Sequence, residues 1–311
     1  MSARVLVTGG AGFIGSHIVR GLLKEEYEVS VLDNYLTGKR QNISEIADKL
    51  DVTYEVDIRD LDACREATLG MDVVLHQAAL PSVPRSIKDP LLSNEINITG
   101  TLNMLIAASE SGVERFVFAS SSSVYGDTPT LPKIETMPPS PLSPYALQKL
   151  VGEQYCRLFG ELFGMETVSL RYFNIFGPRQ DPKSQYAAVV PLFMTAINEG
   201  LSATIFGDGE QTRDFTYVQN VVEANRLAIE AESLAGQAVN IACGDRFSVN
   251  YLLKSLEKAA GRKAKRTDTD PRSGDVRDSL ADISLANKLL GYKPVVGFEE
   301  GLELTYEEFE S

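Results

Sequence analysis

Glycines 9, 12 and 15 stand between an apolar β-branched run and a helical stretch, in the order Val5-Leu6-Val7-Thr8-Gly9-Gly10-Ala11-Gly12-Phe13-Ile14-Gly15. This junction constrains the fold more than any other segment, because strand, tight turn and helix in immediate succession open a β-α-β unit. Gly9 permits the turn, Gly12 lets backbone approach a pyrophosphate, and Gly15 lets the helix pack close. The helix start then offers unpaired N–H groups and a positive dipole end to an anion. The next apolar run ends at Asp33, placed to bind both hydroxyls of an adenosine ribose. A carboxylate there repels a 2′-phosphate, so NAD is favoured over NADP, and Lys39 and Arg40 nearby weaken that preference only slightly. Asp57, after the third run, reads either as a contact to the adenine edge or as a solvated acid at a strand end.

Beyond the junction, short β-branched runs alternate with helical stretches. Arg4–Thr8, Glu28–Asp33, Val52–Val56, Val73–His76, Arg115–Ser120 and Thr167–Tyr172 read as buried strands. Gly12–Lys24, Leu61–Thr68, Leu91–Ser111 and Tyr145–Phe163 read as helices between them. Such alternation predicts an α/β fold, a doubly wound parallel Rossmann sheet. After Tyr172 turns and shorter elements take over, although Val218–Glu230 reads as a helix and Ala238–Ala242 as a strand able to rejoin the sheet. The expected division is a Rossmann domain over 1–173 plus 214–243, and a smaller C-terminal substrate-binding lobe over 174–213 plus 244–311. The lobe would cover the sheet's carboxyl edge, where ligands sit in such folds.

Two helices carry more apolar surface than one stripe requires. The first has Leu91, Leu92, Ile96, Ile98, Leu102, Leu105 and Ile106; the second has Leu147, Leu150, Val151, Leu158, Phe159, Leu162 and Phe163. Their excess predicts a second buried face, under the other lobe or, the reading adopted, in a helical bundle with a second copy of the chain. The balance of 30 basic against 43 acidic residues gives a net charge of −13, which repels phosphate backbones and argues against nucleic-acid binding. Cys64, Cys156 and Cys243 have no ligand spacing and read as small buried hydrophobes, and His17 and His76 are too few for a histidine metal site. With no signal segment and no apolar run of membrane-spanning length, the expectation is a reduced, cytoplasmic protein without a metal.

The reacting groups are sought in Ser120-Ser121-Ser122-Ser123-Val124-Tyr125-Gly126, after the fifth strand, and in Tyr145-Ala146-Leu147-Gln148-Lys149, which opens the next helix. Tyrosine and lysine at i and i+4 share a helix face. A phenol is a poor base at neutral pH, but a lysine ammonium and an oxidised nicotinamide ring both favour the phenolate. A serine hydroxyl near the same substrate oxygen would relay or orient the proton.

With these motifs the chain resembles the extended short-chain dehydrogenases/reductases over essentially its whole length, and within them the nucleotide-sugar 4-epimerases. The resemblance also rests on Leu32-Asp33-Asn34, Arg171-Tyr172-Phe173-Asn174, Gly207–Phe215 and Arg272-Ser273-Gly274-Asp275. It implies that the Tyr145 phenolate takes the proton of the sugar 4-hydroxyl while hydride leaves C4 for NAD. The 4-keto sugar then turns, and hydride returns to its opposite face. Ser121 matches the family's catalytic serine or threonine, with Tyr145 and Lys149. The cofactor residues implied are Gly9, Gly12, Phe13, Ile14 and Gly15 at the cradle, with Asp33, Asn34, Thr37 and Gly38 at the adenosine end. Asp57, Ile58, Gln77, Ala78, Ala79, Asn97 and Phe173 complete them, together with Tyr145 and Lys149. Sugar 4,6-dehydratases of this family carry an aspartate and a glutamate where this chain has Ser122 and Ser123, so dehydration is disfavoured.

For the substrate, the resemblance implies a pyrophosphate clamp of Arg213 and Arg272, chemistry suited to guanidinium. Asn174 would hydrogen-bond the nucleotide-sugar, and Asp275 would bind ribose or brace Arg272. Ala188 would border the substrate, and Val189 and Phe206 would wall the nucleobase or be core. The family points to uridine; residue chemistry alone leaves thymidine open. Ser279 aligns with a tyrosine of epimerases restricted to glucose and galactose, and a small residue leaves room for a 2-acetamido group. Ser82, Val83 and Arg85, in Ser82-Val83-Pro84-Arg85-Ser86, look like the acetamido branch, as does Gln185-Tyr186-Ala187-Ala188-Val189-Val190-Pro191. Pro81 departs from the glycine of acetamido-sugar enzymes and from the lysine of galactose ones. The expected activity is C4 epimerisation of UDP-GlcNAc/UDP-GalNAc, with or without UDP-Glc/UDP-Gal, by a homodimer. A UDP-glucuronate 4-epimerase or decarboxylase, or an NAD-binding regulator without turnover, are the alternatives.

Overall fold

Val5, Leu6 and Val7 are all fully buried, as a strand covered on both faces requires, and they form the centre of β1 (Arg4–Thr8). The computed structural model describes residues 3–182, 188–270 and 276–310. From β1 the chain runs through α1 (Phe13–Lys24), β2 (Glu28–Leu32), β3 (Thr53–Tyr54), α2 (Leu61–Thr68) and β4 (Val73–His76). It continues through α3 (Val83–Lys88), α4 (Pro90–Asn94), a π-helical turn at Glu95–Gly100, and α5 (Thr101–Glu110). Then come β5 (Arg115–Ser121), a 3₁₀ turn at Ser122–Tyr125, α6 (Pro144–Phe163) and β6 (Glu166–Tyr172).

The second half holds β7 (Ile175–Phe176), α7 (Val189–Glu199), β8 (Ser202–Phe206), β9 (Thr212–Arg213), β10 (Thr216–Tyr217) and α8 (Val218–Glu230). It ends with β11 (Gln237–Ile241), β12 (Phe247–Ser248), α9 (Val249–Ala260), β13 (Lys265–Thr269), α10 (Ser284–Leu290) and α11 (Phe298–Glu310). Seven strands pair in the order β11-β6-β5-β4-β1-β2-β3, every pair parallel. This is the doubly wound Rossmann sheet that the alternation predicts. The strand order reverses between β1 and β4, so a crevice opens beyond their carboxyl ends, at Gly9 and Gln77.

Three expectations change in detail. The strand read over Val52–Val56 is only Thr53–Tyr54, because it lies at the sheet edge and pairs with β2 alone. The helix read over Leu91–Ser111 is divided by the π turn into α4 and α5. Gly100, in that turn, lies so close to Ile58 that a Cβ would stand 2.5 Å from its side chain. The strand read over Ala238–Ala242 is Gln237–Ile241, and it does rejoin the sheet beside β6.

Two buried clusters sandwich the sheet. One joins Val5, Val7, Val31 and Val239 to α1 and α8, and takes in Ala286, Leu290 and Tyr292 around α10. The other joins Leu6, Val74, Phe116 and Phe118 to Met104, Ala107 and Cys156. A third core lies outside the sheet, where Phe193, Ile205, Leu252, Phe298 and Leu302 bring α7, β8, α9 and α11 together.

Candidate active site

A cavity of about 690 Å³ fills the crevice. Its floor is the glycine turn. The N-cap of α1 is Gly12, with no side-chain cap, so the first N–H groups of the helix face the cavity unclaimed by any cap. A Cβ on Gly15 would meet the Gly9 carbonyl oxygen at 2.1 Å, and Gly9 has φ +67. Both positions thus demand glycine for a physical reason. Phe13, Ile14, Ala78 and Ala79 line the same end.

Asp33 closes the next strand and accepts from the N–H groups of Ala11 at 3.0 Å and Tyr35 at 2.8 Å. Burial raises its pKa, and the two backbone donors pull it back. Each oxygen keeps a lone pair for a ribose hydroxyl. Gly38 packs on that carboxylate, where a Cβ would come within 2.8 Å, and Thr37 and Ile58 complete this end. Asp57 also borders the cavity, but its carboxylate accepts from Asn34 at 2.7 Å and from Arg59 at 2.8 Å. Burial raises its pKa, but the Arg59 and Asn34 bonds outweigh it and hold it below the usual range. The cradle, the acid and the bordering residues fit a dinucleotide.

At the other end, Tyr145 and Lys149 project from the first turns of α6. Ser143 caps that helix by accepting from Ala146 N–H, and Ser86 accepts from Tyr145 N–H, which ties α3 to the helix. Burial pushes the Tyr145 phenol up to about 12, and a hydrogen bond with Ser121 pulls it back. Burial also pulls the Lys149 ammonium down to about 8. Lys149 Nζ donates to the Ala119 carbonyl at 2.7 Å and lies 5.9 Å from the Tyr145 ring centre. Ser121 Oγ accepts from Ser123 N–H at 3.2 Å and can pair with the Ser123 hydroxyl at 2.9 Å. With Ser123 donating both, the Ser121 proton is left to point toward Tyr145. Ser121, Tyr145 and Lys149 therefore meet, as the serine run and helix spacing suggest.

The remaining predicted residues fall into several places. Ser82, Arg85, Gln77 and Ala188 line the cavity, and Val83, at the first position of α3, does not. Ser82 holds φ +107. Asn97 sits behind the cavity wall, where its amide pairs with Leu80 N–H and carbonyl and with Gln148 between the reacting residues. Phe173 is fully buried beside Tyr125 and Ala242. Asn174 donates to the Asp214 carbonyl at 3.2 Å and to Ser279 Oγ at 3.5 Å. Arg213 Nη1 donates to the Thr212 and Arg277 carbonyls, which fixes its orientation. Val189 opens α7 and Phe206 ends β8, half-exposed. Gln185, Tyr186, Ala187, Arg272 and Asp275 lie outside the described residues.

Tyr172 and Ser120, which the sequence motifs contain without a role, and Gln180 and Asp181, which they do not contain, also border the cavity. Tyr172 donates to Gln77 Oε1, Gln77 to Asn225 Oδ1, and Asn225 back to the Tyr172 hydroxyl, a closed ring at 3.2, 3.2 and 2.8 Å. Its place at the carboxyl end of a strand was the available signal. Among the described residues no group of acids, histidines or cysteines could hold a metal, and no helix is long and apolar enough to cross a membrane.

The family model described as the NAD dependent epimerase/dehydratase family matches residues 5–242. The chain is 38% identical to a UDP-glucose 4-epimerase of Mycolicibacterium smegmatis over 310 residues, 98% of each chain. Its structure is similar to UDP-N-acetylglucosamine 4-epimerase from Methanobrevibacter ruminantium M1 in complex with UDP-N-acetylmuramic acid. The TM-score is 0.94 at 40% identity, covering 100% of this chain and 99% of that one. It is also similar to UDP-glucuronic acid 4-epimerase from Bacillus cereus in complex with UDP-glucuronic acid and NAD. There the TM-score is 0.91 at 35% identity, with 99% of both chains covered.

Proposed function

The chain belongs to the NAD dependent epimerase/dehydratase family, and on that premise we propose that it inverts C4 of a UDP-hexose through a 4-keto sugar, with N-acetylated hexoses among its substrates. The observation that carries this reading is the meeting of Tyr145 and Lys149, with Ser121 hydrogen-bonded to Tyr145, at one end of a cavity that Tyr145 and Lys149 line and whose other end is an uncapped glycine cradle. NAD is the cofactor, held by the cradle and Asp33, and when bound it supplies the hydride acceptor and donor for C4. The chain's own residues do the rest. The Tyr145 phenolate takes the proton of the 4-hydroxyl and returns it after the sugar turns. Lys149, a cation on the same helix face, favours the phenolate. Ser121 donates to the oxygen that is losing or regaining its proton, in the direction that Ser123 imposes.

Arg213, with Arg272, would hold the pyrophosphate, and Asn174 with Ser279 would border the sugar. A small Ser279 beside the Asn174 amide leaves room for a 2-acetamido group, and the likeness to the Methanobrevibacter enzyme supports that preference. The likeness to the Bacillus cereus enzyme makes UDP-glucuronate the second reading. Leu91, Leu147, Leu162 and Phe163 are each half or more exposed on α4 and α6, which supports a homodimer through these helices. The test is to incubate the purified protein with UDP-GlcNAc, UDP-Glc and UDP-GlcA and separate the products. A 4-epimer of UDP-GlcNAc is expected; no 4-epimer from any of the three removes the proposal.

A further inference from the structure

Glu153 and Arg171 are each 4% exposed and pair at 2.8 Å. Arg171 Nε and Nη2 both donate to the Glu153 carboxylate, a two-point contact between α6 and β6. Two charges removed from water gain little net stability from one another, and well-packed apolar residues of the same volume serve a core as well. The partners of this pair point to a different use. The Ser120 hydroxyl donates to Glu153. Arg171 Nη1 donates to the Tyr125 hydroxyl at 2.8 Å, with the guanidinium 4.8 Å from the centre of that ring. Tyr125 in turn donates to buried Asn240 at 2.7 Å.

Ser120 immediately precedes Ser121, and Tyr125 ends the 3₁₀ turn that follows it. Immediately before Ser120 is Ala119, whose carbonyl holds the Lys149 ammonium. Glu153 itself lies one helical turn beyond Lys149 on α6, on the same face. Neither Glu153 nor Arg171 borders the cavity.

We infer that the Glu153–Arg171 pair is a positioning clamp, which grips the 120–125 segment at both ends and so sets Ser121 against Tyr145 and Lys149. The clamp rests on the roles proposed above for those three residues. Its arms are Ser120 and Tyr125.

Ser120→Ala removes one arm and leaves the ion pair whole, and Tyr125→Phe removes the other while keeping the ring. Each is expected to lower kcat by about tenfold or more, as misplacement of a reacting group does. KM and bound NAD are expected to stay at wild-type values, the thermal midpoint to fall only by the few degrees that one buried hydrogen bond is worth, and Ser120→Thr to restore kcat. Ser120 borders the cavity, so a loss carried by KM would mean a direct substrate contact and overturn the clamp. So would a kcat within about twofold of wild type in both variants, or a loss that tracks the thermal midpoint and is not restored by threonine. A crystal structure of Ser120→Ala reads the clamp without turnover. A displaced Ser121 relative to Tyr145 supports it, and an unchanged separation overturns it even if the wild-type protein proves inert, which would instead sink the reaction.

Discussion

Tyr145 alone is the wrong acid for its proposed work, since burial holds its phenol up at about 12. It can act near neutral pH only if positive charge and a hydroxyl donor favour the phenolate, and Lys149 and Ser121 are the groups placed to do so. Tyr145→Phe keeps the ring and removes the titrating atom. Turnover is expected to fall by about 10²–10⁴, the range for a lost general acid–base, with NAD still bound; product separation and cofactor release on denaturation check both parts. Retained activity would take Tyr145 out of the mechanism. Ser279→Tyr tests the sugar end. It should suppress the acetylated substrate selectively, measured as the ratio of kcat/KM for UDP-GlcNAc and UDP-Glc, and an unchanged ratio would remove Ser279 as the gate. The reacting pair was legible because i and i+4 on a helix is a local relation. The Ser123 bond that orients Ser121, and the ring of Tyr172, Gln77 and Asn225, were not, because their partners meet through turn geometry or across long stretches of chain.

The helices show the same divide one level up. Hydrophobic periodicity marks the long helices around the sheet's first half and misses the six-residue α3, and because a π turn keeps the same apolar residues in much the same order, the break at Glu95–Gly100 leaves no periodic trace. What the turn achieves is read only in space. It aims Asn97 at both backbone groups of Leu80 and at Gln148, and so holds the 80–82 loop against α6. The surplus apolar surface, by contrast, was legible as a pattern and remains exposed on the single chain, with Leu162 at 69% and Phe163 at 61%. If a second copy covers α6, a charge in the exposed apolar surface at its C-terminal end must weaken association. Leu162→Glu is expected to shift light-scattering mass from dimer to monomer at micromolar protein while leaving the far-ultraviolet spectrum unchanged. A wild-type protein that scatters as a monomer would remove the homodimer, and a dimeric variant would move its interface elsewhere.

At the scale of the whole molecule, the two histidines report how the parts are joined. His76 is fully buried between Thr8 at 2.8 Å and Thr101 at 3.1 Å, linking the central strands to α5. His17 bonds the Pro178 carbonyl at 2.9 Å, linking α1 to the chain that leads into the third core. Burial lowers their pKa values to about 3 and about 4. The unfolded chain protonates both near 6.5. Between those limits the unfolded state therefore binds protons that the fold refuses, and stability is lost as pH falls below about 6.5. His76 contributes about 1.4 kcal/mol per pH unit in that window, and His17 acts in the same direction. Asp214 opposes them. Burial raises its carboxyl to about 7 against three backbone N–H donors, so it takes up a proton in the fold first. Burial also raises the carboxyls of Asp33 and Glu135, which act in the same direction as Asp214, so the histidines are read directly at their own imidazoles. Because the chain has only two histidines, their imidazole NMR signals give that reading. Neither should move at pH 5.5, where a solvated histidine is about nine-tenths protonated. A signal titrating near 6.5 would mean that its junction opens in solution.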